Sequence, residues 1–81
     1  MKHFVRSEFL RRLGSWLFKL RKSKGIGQDK LTEEAGLARG TISKIERGAV
    51  DPKVTTIVKI AHALEVPPPK LLEIAEKRAA S

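Results

Sequence analysis

Apolar side chains recur along the chain at three- and four-residue spacing, interrupted by short glycine- or proline-bearing joints. This rhythm predicts five helices. In the first, from about Ser7 to Lys24, Leu10, Leu13, Leu17 and Leu20 form one stripe and Ser7 is the expected N-cap. Gly25-Ile26-Gly27 stops it. The second spans roughly Gln28 to Ala35, with Leu31 and Ala35 inward and Asp29 in its first turn, where negative charge suits the helix dipole. After Gly36-Leu37 a third helix, about Arg39 to Arg47, turns Ile42 and Ile45 inward and ends at Gly48. Asp51-Pro52 breaks the chain again. A fourth helix, about Lys53 to Leu64, places Val54, Ile57, Val58, Ala61 and Leu64 on one face. Pro67-Pro68-Pro69 is the strongest breaker, and one of these prolines opens a fifth helix, about Pro69 to Ala79, with Leu71, Leu72, Ile74 and Ala75 as its apolar content. No strand-like alternation, internal repeat or low-complexity stretch appears. The predicted class is all-α.

The segment from Gln28 through Gly48 carries the functional information. Two helices this short are not stable alone, so their use lies in the angle between them. Gly36 lets the backbone take a positive φ and turn sharply. Leu31, Ala35, Leu37, Ile42 and Ile45 then pack between the pair, backed by the first and fourth helices. One face of the third helix is left protruding, and a single helix fits the major groove of duplex DNA.

Charge sharpens this picture. The chain of 81 residues has room for one domain with a modest core and carries a formal net charge of +8. Residues 1–24 hold eight Lys/Arg against Glu8 alone; residues 25–64 hold six positive and five negative side chains; residues 65–81 balance three against three. A small basic domain of this kind meets a polyanion, either nucleic acid or an anionic membrane surface, unless its charge is simply solvated. The absence of cysteine removes disulfides, thiolate metal sites and thiol catalysis, and it fits a cytoplasmic setting. No segment approaches the roughly 20 apolar residues of a membrane span. The basic start Met1-Lys2-His3-Phe4-Val5-Arg6 is not followed by the apolar run and cleavage site of a secretory signal. His3 and His62 lack metal-ligand spacing, Asp29, Glu33 and Glu34 read as a solvated face, and Gly25-Ile26-Gly27 lacks the further glycine and lysine of phosphate loops. The sequence therefore points away from an enzyme and calls for no metal or cofactor.

A run of spaced elements is more specific than any of these features. It comprises Leu13-Gly14 with Leu17, Leu20 and Arg21; Gln28 with Leu31; Ala35-Gly36-Leu37; Thr41-Ile42-Ser43-Lys44-Ile45-Glu46-Arg47-Gly48; then Pro52, Ile60-Ala61 and Ala63-Leu64. With these the chain resembles the phage-repressor/Cro type (XRE family) of helix-turn-helix domain over about Leu13 to Leu72. The resemblance implies a compact five-helix, lambda-repressor-like domain with the helix-turn-helix at helices two and three. It divides the chain into a basic N-terminal extension (1–12) running into helix one, the DNA-binding domain (13–72), and the end of the last helix with its tail (73–81). The implied function is sequence-specific binding of double-stranded DNA as a transcriptional regulator, expected to be a repressor, with the third helix in the major groove.

Site residues follow from the same resemblance. Arg39, Gly40, Ser43 and Lys44 stand where the family reads bases or adjacent backbone, and Arg39 and Lys44 suit guanine acceptors. Gly40 departs from the longer polar residue common there; it gives up a base contact and lowers helix propensity by up to about 1 kcal/mol against alanine. Gln28 stands where the family grips a phosphate, with a simple capping amide as the alternative. Thr41 is a phosphate donor or a cap. Arg47 and Lys53 flank the joint that meets the DNA backbone, Lys53 in a place usually held by a capping residue; solvated side chains are the alternative. Arg21 and Glu46 are expected to form a structural salt bridge between the third helix and the scaffold.

Helix one is longer than the family norm and carries Trp16 and Phe18 where polar residues are usual. Phe4, Phe9 and Trp16 either extend the core against the C-terminal helix or, with Phe18, mark an interface for a second copy or a protein partner. Thr32 replaces a small alanine, which loosens packing in helix two. The fifth helix is the dimerisation candidate, and a homodimer implies a pseudo-palindromic operator. The alternative function is an antitoxin-type module that binds a partner protein as well as DNA. A membrane-surface role has only the charge of residues 1–24 in its favour.

Overall fold

The computed structural model of the chain describes residues 4–68. The expected fifth helix, 69–79, lies outside the described residues. Within them the chain forms α1 (Arg6–Ser23), α2 (Gln28–Ala35), α3 (Thr41–Glu46) and α4 (Val54–Ala63), without a strand. The fold is all-α. Helix α3 packs on both α1 and α2, and α2 packs on α4.

The leucine stripe of α1 builds the core. Leu17 joins Leu31, Ile42, Ile45, Ile60 and Leu64 in one buried cluster, and Leu13 with Ile57 forms a second beside it. Both joints add to the main cluster through side chains from otherwise polar segments, Ile26 before α2 and Leu37 after it. Two of the six residues of α3, Ile42 and Ile45, are fully buried, each contributing about 2 kcal/mol of apolar burial. That anchorage holds a helix far too short to persist alone.

Three local expectations are corrected. Helix α1 begins one residue earlier, with Val5 as an extended N-cap; Ser7 lies inside the helix and caps nothing. The first turn of α3 starts only at Thr41, because Gly40 stands at its N-cap with φ 86°, outside helical geometry. The propensity penalty expected for Gly40 therefore does not apply. In α4 the inward face is Ile57, Ile60, Ala61 and Leu64, whereas Val54 is 67% exposed and Val58 half-buried. Val54 has the right spacing but sits in the first turn, past the edge of the core. The Thr32 hydroxyl donates to the Gln28 carbonyl at 2.7 Å within α2.

All four helices end in the same way. The two residues after each last turn donate back to carbonyls three and five positions earlier, as in Gly36 N–H to Glu33 and Leu37 N–H to Thr32. This closure needs a left-handed residue. Glycine supplies it after α1, α2 and α3, and Glu65 supplies it after α4.

Candidate nucleic-acid interface

The two ends of α3 are built differently. At its C-terminal end, Glu46 is gripped from two other helices. The Arg21 Nε donates to Glu46 Oε2 at 2.7 Å, and a second guanidinium nitrogen donates to Oε1 at 3.1 Å. The remaining terminal nitrogen donates to the Ile26 carbonyl at 2.9 Å, and the Gln28 amide donates to Glu46 Oε1 at 2.9 Å. The Arg21 and Glu46 side chains are only 7% and 6% exposed. A bidentate arginine–carboxylate pair has fixed geometry as well as charge, so it sets orientation and not only distance. Among the described residues no buried side-chain polar atom lacks a partner.

Gly14 completes this joint. A Cβ there would lie 2.6 Å from the Glu46 carbonyl oxygen, 2.9 Å from its carbon, and closer still to the Ile45 carbonyl oxygen. The backbone of α1 thus touches the last turn of α3 directly. Sequence reasoning used Leu13-Gly14 only as part of a resemblance and missed this contact, because glycine leaves no hydrophobic signal. It also missed the engagement of Gln28 with Glu46. Gln28 is the first residue of α2, preceded by Gly27 as N-cap, so its amide does not cap the helix.

At the N-terminal end nothing comparable holds α3 among the described residues. Gly40 is the N-cap without any side-chain capping bond. Arg39 and Lys44 are exposed, and Gly40, Thr41 and Ser43 are half-buried. Arg47 follows as C-cap in right-handed helical geometry, so Ser43, Lys44 and Arg47 still share a face, while left-handed Gly40 departs from it. Lys53 is the exposed N-cap of α4, again without a side-chain capping bond. Arg39, Lys44, Arg47 and Lys53 meet no carboxylate among the described residues. Four uncompensated cations therefore surround a short helix whose buried face points into the core. Such a surface suits a polyanion with a groove wide enough for one helix.

The aromatics of α1 divide. Phe9 and Trp16 pack on the Leu13–Ile57 cluster. Phe4 is exposed and its ring meets that of Phe9 at a 50° tilt, 5.4 Å between centroids. Phe18 is also exposed, with the Arg21 guanidinium 5.4 Å and the Lys22 ammonium 5.8 Å from its ring centre. Contacts with the expected C-terminal helix lie outside the described residues. Among those residues no helix is long and apolar enough to cross a membrane.

Known proteins share this arrangement. The HTH_3 family model, described as helix-turn-helix, matches residues 17–71. The chain is 35% identical over 54 residues to an uncharacterized HTH-type transcriptional regulator, y4dJ of Sinorhizobium fredii, covering 67% of this chain and 70% of that one. Among solved structures it is similar to the restriction-modification controller protein C.AhdI from Aeromonas hydrophila, with 35% identity, a TM-score of 0.74, and coverage of 76% of this chain and 94% of the other. It is also similar to a point mutant of the controller protein C.Esp1396I bound to its highest affinity operator site, with 26% identity, a TM-score of 0.78, and coverage of 99% and 100%. The chain belongs to the HTH_3 (XRE) family of DNA-binding helix-turn-helix transcriptional regulators.

Proposed function

We propose that this chain binds double-stranded DNA in a sequence-specific manner and acts in the cytoplasm as a transcriptional repressor, with α3 in the major groove. The observation that carries this reading is the asymmetry of α3, locked to the scaffold at Glu46 while Arg39 and Lys44 are exposed without a carboxylate partner among the described residues and Ser43 is half-buried beside them. In this reading Arg39 and Lys44 address base edges, and Ser43 adds a short hydroxyl contact. Gly40 contributes its lack of a side chain, which lets the backbone approach the groove wall closely. Thr41, Arg47 and Lys53 meet phosphates. Gln28 meets a phosphate through the rim of α2 while its amide also holds Glu46. The operator complex of the controller-protein relative, which aligns along nearly the whole chain, supports an operator as the ligand class.

A homodimer on a pseudo-palindromic site is the matching assembly. Selection of bound sequences from a random duplex library, at near-physiological salt, tests the proposal. The expected product is a two-fold site with half-site centres about 10 bp apart. Lys44→Ala is expected to relax one base position in each half-site. Selection that enriches no sequence would overturn the proposal. The exposed rings of Phe4 and Phe18 favour a second reading, an antitoxin-type module that also holds a protein partner. A stoichiometric protein co-purifying with the wild-type chain, and lost on Phe18→Ser, is the outcome that reading requires.

A further inference from the structure

The first sixteen residues precede the segment matched by the family model, yet the N-terminal half of α1 reaches the joint that follows α3. Two side chains make the connection. Arg6 Nε lies 3.2 Å from Asp51 Oδ2, and Asp51 is the one acidic residue between Arg47 and Lys53. Arg11 sits against Gly48: a Cβ on Gly48 would lie 3.3 Å from the Arg11 N, Cα and Cγ. Both the backbone of Arg11 and the base of its side chain are thus seated on the joint. Gly48 is left-handed, with φ 69°, and a Cβ there would be tight against Arg11.

Among the four arginines of α1, Arg11 alone meets no carboxylate; Lys19 and Lys22 are likewise unpaired among the described residues but make no contact with Gly48 among its nearest atoms. Arg12 is held by Glu8 at 2.6 Å, Arg21 by Glu46 and Arg6 by Asp51. Arg11 is exposed and meets no carboxylate among the described residues. The atoms of Arg11 nearest Gly48 are its backbone and Cγ, and the charge lies further along the side chain. Arg11 thus brings a further positive charge to a joint already carrying Arg47 and Lys53. The exposed Arg6–Asp51 pair adds little stability, yet it cancels the only negative charge on that joint.

We propose that Arg11 is a DNA-backbone contact, joining Arg47 and Lys53 in a phosphate clamp, with Arg6 neutralising Asp51, the one acidic residue of the joint. The proposal rests on the reading of α3 as the recognition helix. It extends the DNA-facing surface beyond the family-matched segment and uses a residue that no motif marks.

The test is a salt titration of binding to the selected operator and to a scrambled duplex, for the wild-type chain and four variants. Arg11→Gln keeps the stem that packs on Gly48 and removes the charge. It is expected to weaken both duplexes equally, by roughly five- to tenfold at 0.1 M salt, and to lower the magnitude of the slope of log K against log salt by about 0.9 for each protomer bound. Arg11→Lys is expected to restore the slope. Arg12→Gln, whose charge is already occupied by Glu8, is expected to change it by less than half as much. Thermal melts of all variants are expected to superpose within a few degrees. A wild-type slope in Arg11→Gln, alongside a lowered slope in Arg47→Gln, would overturn the role of Arg11 and leave the recognition-helix reading standing. A wild-type chain that binds neither duplex would overturn that reading, and Arg11 with it.

Discussion

The two ends of α3 show how six residues can present a recognition surface. The C-terminal end is over-determined: one carboxylate accepts from α1 and α2, a glycine admits backbone contact, and a left-handed closure ends the helix. The N-terminal end has one left-handed glycine, no side-chain cap and exposed cations. Rigidity and chemistry are therefore separated along one short element. Side chains at the free end can change without disturbing the fold, because the orientation of the helix is set at the other end.

The sharpest way to break this contrast is Glu46→Ala. It strands the buried Arg21 guanidinium and removes the acceptor of Gln28, so a loss of about 3 kcal/mol is expected. A thermal melt checks it, and an unchanged midpoint would mean that the buried pair does not hold α3. Gly14→Ala attacks the same end without touching charge. Its Cβ meets backbone carbonyl groups that cannot swing aside, and overpacking of this kind is expected to destabilise by about 2 kcal/mol. Denaturant unfolding reads that value directly, and specific DNA affinity is expected to fall with it.

At the free end Gly40→Ala forces a Cβ into left-handed geometry, an expected penalty of about 1 kcal/mol in the melt. Open space surrounds the position, so strain and not collision is the cause. The smallest effect runs the other way. Glu65 is the one non-glycine residue with positive φ among the described residues, and Glu65→Gly is expected to stabilise by about 0.5 kcal/mol. If the two substitutions shifted the melt in the same direction, left-handed strain would not be the quantity that they share.

Legibility followed the physics of each feature. The stripe Leu10, Leu13, Leu17 repeats with the helical period, and the turn at Gly36 carries its own signal in residue type. The pairing of Arg21 with Glu46 spans 25 positions, and only the resemblance to a known family pointed to it. Ile60 was absent from the expected face of α4, and Val54 was included, because periodicity gives a direction and not the edge of the core. Gly40 read as a weak helical residue because its φ is invisible in sequence. Gln28 read as a phosphate ligand or a cap, since nothing local reveals that Glu46 arrives beside it.

The sequence by itself determined the first four helices, the glycine closures of three of them, the apolar stripe of α1 and the excess of positive charge, because each depends on residues within a turn or two of one another. Only the tertiary structure decided which cations remain uncompensated, where α1 and α3 touch backbone to backbone, and how Arg11 comes to rest on Gly48. Those facts depend on helices that approach one another from distant parts of the chain. Their distances are set by packing of the whole core and are written in no single segment.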